Sequence, residues 1–298
     1  MTISRELTSD CRNCPLDGLK KVWGRTERGR PSIVFIGEAP GFYEDKQGKP
    51  FVGKAGQLLR RALGTIGIPE EEVHLTNTIS CRPPYNDIKS NEAIKAKKCC
   101  SRGFEDEIRQ LSREGVKVFV PLGNTPTEKF KIKDSITRAK GSIYLRHVDE
   151  EGRIHEEPGK GRLEVFVVPT FHPSYIQRGK WAEEPGWKNN IAKAYGLVEE
   201  EWQPPREDFT IFPTIEDLEE FEKGLKSKQL IALDIETAYS LDPRESEIVC
   251  VGLAKDESSC LVVPFFSKGM KPYWKTTSQY NKAKAFLKRM LSTHPLVI

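Results

Sequence analysis

A chain of 298 residues is long enough for two domains, each with its own core. Hydrophobic content of 37% and charged content of 30% fit a soluble globular protein, and no apolar run approaches bilayer-spanning length, which excludes a membrane-spanning class. The net charge of +4 divides into +6 over residues 1–200 and −2 over 201–298, a balance that permits phosphate contacts without requiring them. The opening MTISRELTSD lacks the apolar segment of a signal peptide, so a cytoplasmic protein with no membrane partner is expected. Seven cysteines without an export signal argue against a disulfide framework. Cys250 and Cys260 lie in apolar, strand-like runs and are expected in a core.

The first feature in chain order is Cys11-Arg12-Asn13-Cys14-Pro15, a C-x2-C pair followed by proline. Ser32 to Ile36, rich in β-branched residues and bounded by Pro31 and Gly37, predicts a buried strand. Glu38 then stands at the strand's carboxyl end, where open α/β sheets bind ligands, and Gly37, Pro40 and Gly41 give the tight loop such a site needs. Gly48-Lys49-Pro50-Phe51 carries an aromatic into that loop before a helix from near Lys54. Ala55, Leu58, Leu59, Ala62, Leu63 and Ile66 repeat there at helical spacing, and Gly67 closes the helix. Val73 to Ile79 is a second strand, which leads into Cys81-Arg82-Pro83-Pro84-Tyr85-Asn86, a loop stiffened by two prolines.

One helix is expected from about Asn91 to Ser112, with Ala93, Ala96, Cys100, Phe104, Ile108 and Leu111 on one face and Cys99 off it. Val116 to Leu122 is a third strand ending at Gly123. Ser142 to Val148 and Arg162 to Pro169 are two more, joined by a long polar turn, and the second runs into Thr170-Phe171-His172-Pro173-Ser174. A charged, proline-bearing stretch then marks a boundary, with a first domain over 1–200, a linker over 201–213 and a second domain over 214–298. Thr214 and Asp217 open that domain as a helix cap, and strands follow at Leu230 to Ile235, Ile248 to Ala254 and Cys260 to Phe265. A last helix carries Ala283, Phe286, Leu287, Met290 and Leu291 on one face, and Leu296-Val297-Ile298 starts a further strand, so the second domain is expected to be incomplete.

Cys11, Cys14, Cys81 and one of the Cys99-Cys100 pair offer four thiolates, which suit tetrahedral zinc or a [4Fe-4S] cluster alike; spacing does not choose between them. Cys100 is the preferred fourth member because it shares its helix face with Phe104 and Ile108.

Gly37 to Gly41 (GEAPG), Glu44-Asp45, Gly48 to Gly53 and Ala55 to Leu59 together resemble the first active-site motif of the family 4, iron-sulfur uracil-DNA glycosylases. Thr76-Asn77, Cys81-Arg82-Pro83-Pro84 and Thr170 to Tyr175 are similar to that family's later signatures, so the resemblance spans about residues 1–200. It implies a three-layer α/β/α sandwich with a central parallel sheet, and a [4Fe-4S] cluster on Cys11, Cys14, Cys81 and Cys100. It also implies hydrolysis of the N-glycosidic bond of deoxyuridine in DNA, releasing uracil and leaving an abasic site. Because the base must leave the stack before it reacts, such a pocket needs an aromatic platform, an amide that reads the base edge, a donor to the departing anion and a positioned water.

Phe51 fits the platform, although a core phenylalanine would look the same in sequence. Asn77 can present one acceptor and one donor to uracil, and His172 can donate to O2. The resemblance assigns the water to Glu38 with Asn86 in support, places Glu44 near the face that excludes thymine's methyl, and gives backbone amides at Gly37 and Ser174 to the pocket. Asp87-Ile88-Lys89 departs from the family's usual arginine and proline after Asn86, and the turn from Asp149 to Gly161 is long. Neither a Schiff-base lysine nor the Arg-Ile-His insertion of covalently trapping homologues is present, so a monofunctional enzyme is expected. The alternative is a non-catalytic module that binds uracil-containing DNA beside a polymerase or exonuclease.

In the second domain Asp234 and Glu236 sit two residues apart on one face of a strand, a spacing that can bind divalent ions for phosphoryl displacement, though two solvent-facing acids explain it equally well. LDIETAYSLDPRESEIVCVGLA followed by LVVPF resembles the opening of the 3′-5′ exonuclease domain that precedes a family A DNA polymerase, which implies a partial RNase H-like α/β domain. Only two of that family's four carboxylates are present, so divalent metal is expected only in a complete domain. A downstream polymerase domain or replication proteins are the implied partners, and a monomer is expected.

Overall fold

The structure is a computed structural model that describes residues 8–199, 208–238, 247–256 and 258–297. Residues 201–207 of the expected linker, 239–246 of the exonuclease-like motif and the terminal Ile298 lie outside the described residues. The chain divides into two compact units, Met1–Trp202 and Gln203–Ile298.

In the first unit the elements follow as β1 (Arg25–Thr26), β2 (Ile33–Gly37), α1 (Phe42–Gln47), α2 (Lys54–Ile66), β3 (Val73–Asn77), α3 (Asn91–Cys99), α4 (Ser101–Arg113) and β4 (Val118–Pro121). The order continues with α5 (Asn124–Lys129), α6 (Ile136–Ala139), β5 (Tyr144–Val148), β6 (Ile154–His155), β7 (Leu163–Val167), α7 (Pro173–Gln177) and α8 (Glu184–Gly196). The strands form one sheet in the order β1-β3-β2-β4-β7-β5-β6. Its centre, β3-β2-β4-β7, is parallel, while β1, β5 and β6 pair antiparallel, so the sheet is mostly rather than wholly parallel.

All five residues of β2 and of β3 are buried, and this lack of alternation is what a parallel strand covered on both faces requires. Ile33 and Phe35 pack on one side with Leu59 and Leu63 of α2 and Trp187 and Ile191 of α8. Val34 and Ile36 pack on the other with Phe104, Ile108 and Leu111 of α4. Helices therefore cover both faces of the sheet. Leaving β2, the chain crosses to β3 on one side and later to β4 on the other, so the carboxyl end of β2 lies at a topological switch point.

Several details differ from expectation. The single helix expected over 91–112 is two, α3 and α4, with a break at Cys100 (φ −81°, ψ −9°), because the apolar period runs on across a backbone step that periodicity does not register. A short helix, α1, stands inside the first site loop, and the polar turn after β5 contains β6.

The second unit contains β8 (Asp208–Thr210), α9 (Ile215–Lys223), β9 (Ile231–Ala238), β10 (Glu247–Ala254), β11 (Ser259–Pro264), β12 (Phe266–Ser267), β13 (Lys271–Pro272), α10 (Thr277–Thr293) and β14 (Leu296–Val297). Thr214 and Asp217 form a reciprocal capping box at the start of α9. The larger sheet has the order β14-β9-β10-β11-β8, with β10 antiparallel to both neighbours. Residues 208–210, expected within the linker, instead pair parallel with β11. Cys250 and Cys260 are half-buried rather than core residues. No helix among the described residues is long and apolar enough to cross a membrane.

Candidate active site at the carboxyl edge of the first sheet

One pocket of about 370 Å³ opens where the carboxyl ends of β2, β3, β4 and β7 meet, within the usual size for a small-molecule site. Glu38, Glu44, Phe51, Asn77, Asn86, His172 and Ser174 all line it, although the sequence scatters them over four segments. The loops are pinned to one another by main-chain bonds. The Glu38 carbonyl accepts from Thr78 Oγ1 at 2.6 Å and Ile79 N at 3.0 Å, Leu122 N donates to the Ile36 carbonyl at 2.8 Å, and Gly123 N donates to that of Thr170 at 2.9 Å.

Small residues make the close approaches possible. A Cβ on Gly37 would collide with Asn77 Oδ1 and lie 2.9 Å from the Phe51 ring, so Gly37 admits both side chains to the same wall. Gly123, at φ +96°, brings its Cα position between Glu38 and His172; a Cβ there would stand 3.6 Å from Glu38 Oε1 and 3.7 Å from His172 Cβ. Glu44 is 9% exposed, and its Oε1 accepts from the Gly53 amide at 2.7 Å, which fixes a carboxylate at the start of α2. Phe51 holds φ +55°, a strained conformation for a bulky residue, and its carbonyl sits where a Cβ on Gly56 would be.

His172 caps α7. Its Nδ1 accepts from the Ser174 amide at 3.2 Å and faces Ser174 Oγ at 2.8 Å, while Arg178 donates to the same Oγ at 3.2 Å. An Nδ1 that accepts a backbone N–H leaves the ring proton on Nε2. Desolvation, helped by the Arg178 charge, pushes the His172 pKa down from 6.5 to about 4, so the ring is a neutral donor at neutral pH. The preceding residue is held by the Trp187 indole, which donates to the Phe171 carbonyl at 2.9 Å. The Phe51 and His172 rings lie 6.2 Å apart and 31° from parallel.

Asn77 is 4% exposed at the end of β3, and the strand behind it is braced by a buried polar set. Thr76 Oγ1 donates to Glu107 Oε2 at 2.9 Å, His74 Nε2 meets Glu107 Oε1 at 3.2 Å, and Thr26 Oγ1 meets His74 Nδ1 at 2.8 Å. Asn86 is exposed at the rim, and its Oδ1 accepts from Arg82 Nε at 2.7 Å. Arg178 and the Glu107 network went unread in the sequence. Arg178 lies one helical turn beyond Ser174, and the signal that could have found it is Pro173, a residue suited to the first position of a helix.

Cys11, Cys14, Cys81 and Cys100 line a second, smaller cavity together with Cys99, Lys21 and Trp23. Cys100 is an electrostatic neighbour of Cys11, Cys14 and Cys81, whereas Cys99 acts on Cys14 and turns its sulfur to the Asn13 carbonyl at 3.8 Å. Burial pushes the Cys81 thiol up to about 12 and Cys14 to about 11. Among the described residues no three His, Cys, Asp or Glu side chains gather closely enough to hold a single metal ion. In the second unit Asp234 and Glu236 are exposed and flank Cys250, whose thiol pKa burial and those two charges raise.

Residues 24–194 match the model of the uracil DNA glycosylase superfamily. The chain belongs to that superfamily. A type-4 uracil-DNA glycosylase of Pyrobaculum aerophilum is 43% identical over 198 residues, 64% of this chain and 91% of the relative. Those of Thermotoga maritima and Archaeoglobus fulgidus are 36% and 35% identical over 184 and 180 residues, covering 60% and 58% of this chain and 84% and 81% of the relatives. A DNA polymerase of Bacillus phage SP01 is 28% identical over 166 residues, 54% of this chain but 16% of the polymerase. The superfamily match spans β2, β3, β4 and β7, the strands whose ends form the pocket.

Proposed function

We propose that the first unit is a uracil-DNA glycosylase, a DNA-repair hydrolase that breaks the N-glycosidic bond of deoxyuridine. The observation that carries this reading is the convergence of Glu38, Phe51, Asn77 and His172 on one pocket from three separate segments. An extruded uracil stacks on Phe51, at about 1 to 3 kcal/mol for a base on an aromatic. Asn77 pairs with its edge through one donor and one acceptor. As the bond breaks, negative charge collects on the base, and His172, neutral with its proton on Nε2, donates to O2 without having to surrender a charge. Glu38 orients the attacking water with Asn86 in support, Glu44 closes the face on which thymine carries a methyl, and the Gly37 amide adds to the grip, whereas the Ser174 amide, expected to join it, is already committed to His172 Nδ1 and fixes that ring instead.

Cys11, Cys14, Cys81 and Cys100 are the residues that would hold a [4Fe-4S] cluster. The donor set fits, because these four thiols line one cavity, Cys81 and Cys100 buried and Cys11 and Cys14 half-buried, and four soft sulfur donors are what such a cluster takes. Such a cluster supplies a structural tie between the N-terminal turn, the Cys81 loop and the α3–α4 junction.

The second unit reads as an exonuclease-like, RNase H-like domain. The antiparallel β10 between β9 and β11, with β14 parallel to β9 on the other side, supports that reading. Asp234 and Glu236 would share divalent ions there only with further carboxylates. A monomer in the cytoplasm, acting beside a polymerase, is the expected setting. An oligonucleotide with one deoxyuridine, incubated with the protein and then cleaved with alkali, tests the function directly. Wild type yields free uracil and an alkali-labile site, and Asn77→Ala and His172→Ala each lose most of it. Binding without uracil release would favour the non-catalytic module instead.

A further inference from the structure

Tyr85 is 96% exposed, the most exposed of the large hydrophobic side chains among the described residues, and so touches almost nothing of the protein. Its backbone lies at φ 55°, ψ 16°, and Asn86 follows at φ 58°, so two successive residues occupy the left-handed region that bulky side chains avoid. The turn that imposes this is stiff. Pro83 and Pro84 precede it, Asn86 N and Asp87 N close it onto the Pro83 and Pro84 carbonyls at 3.0 and 2.9 Å, and Arg82 clamps Asn86 from the side. Pro83 and Asn86 both line the pocket, so the ring between them rises from its rim. The neighbouring aromatics differ: Phe42 and Tyr43 pack edge to face at 5.4 Å, and Lys46 and Arg82 cover Phe42 at 4.5 and 5.2 Å. A strained, braced and solvated aromatic beside a base-sized pocket has the form of a side chain that enters a base stack.

We propose that Tyr85 fills the gap left in duplex DNA when the uridine is withdrawn into the pocket, stacking on the bases on either side and holding the extruded state open. This rests on the glycosylase reading above and assigns to that site a residue that lets it act on a base-paired substrate. Tyr85 is a positioning residue, since it does not meet the reacting bond. Stacking of this kind corresponds to about 10- to 100-fold in rate, and it is required only where a stack must be opened.

The test is single-turnover uracil release by the full chain from a duplex with uracil opposite guanine and from the same strand alone. Tyr85→Ala is expected to slow the duplex reaction about 10- to 100-fold and the single-strand reaction by no more than about threefold, with Tyr85→Phe close to wild type on both. A pyrene nucleotide opposite the uracil, which occupies the gap itself, is expected to restore the alanine variant. Equal losses on both substrates, no loss on the duplex, or no rescue by phenylalanine overturns the proposal while leaving the glycosylase reading intact. Absence of uracil release by wild type from either substrate overturns that reading, and this one with it.

Discussion

Gly37→Ala isolates the wall that Asn77 and Phe51 share. Gly37 is not at a positive φ and ends a fully buried strand, so alanine keeps the backbone conformation and the register with β3, and its only new atom is the methyl. That methyl would collide with Asn77 Oδ1 and lie 2.9 Å from the Phe51 ring, both closer than such atoms tolerate, so with the backbone kept both side chains must give way. Overpacking of this kind costs about 1 to 3 kcal/mol of stability. The functional loss is larger than one contact, because base stacking and a paired base edge each contribute about 1 to 3 kcal/mol. Losing both removes about 2 to 6 kcal/mol, or at least about 30-fold in kcat/KM. Single-turnover uracil release, read beside the melting temperature, separates the two effects. A variant with kcat/KM within threefold of wild type would refute the claim that these side chains grip the base together.

His172 titrates near 4 because burial opposes its charge, so kcat/KM should show no His172 limb between pH 5 and 8; a limb near 6.5 that disappears in His172→Gln would contradict the buried, neutral ring. For stability the sign follows from the lowered folded value: the contribution is present above about pH 6.5 and is lost as pH falls through about 4, and melting curves of wild type against His172→Gln should converge over that window. Glu107→Ala, which strands His74 and Thr76 in a dry interior, should cost about 3 to 5 kcal/mol by denaturant unfolding, whereas a loss under 1 kcal/mol would mean the network is solvated. Cys100→Ala and Cys81→Ala should lose iron content and visible absorbance that Cys99→Ala keeps; the reverse order for Cys99 and Cys100 would exchange their roles.

The central strands and α2 were legible because their signals are local. Unbroken apolar runs ended by Gly37 and Gly123 mark β2 and β4, and a helical repeat stopped by Gly67, which takes φ +89° as the left-handed cap, marks α2. The pocket was legible for a different reason: Glu38, Asn77 and His172 each follow a strand, and parallel strands bring their carboxyl ends to one edge. What escaped has no periodicity to find. Helix α1 is six residues long, the break at Cys100 leaves the apolar face continuous, and β8 exists only because β11 offers it an edge. The Glu107 network escaped because a buried carboxylate is recognisable only by its partners, His74 and Thr76, which lie 33 and 31 residues away.

The strain in this unit is concentrated at the pocket. Of six non-glycine residues at positive φ among the described residues, Phe51, Tyr85 and Asn86 all belong to its wall or rim. Each such residue costs about 1 to 3 kcal/mol and persists only where its surroundings leave no alternative. Those surroundings are identifiable: the Phe51 carbonyl is wedged against Gly56 of α2, and Asn86 is held by Arg82 and the two prolines. Helix α2 is itself fixed through Leu59 and Leu63 to the face of β2 that carries Phe35. Loosening that core, as in Leu63→Ala, therefore relaxes Phe51 toward an ordinary conformation while the sheet survives, and base recognition fails at a lower temperature than the fold.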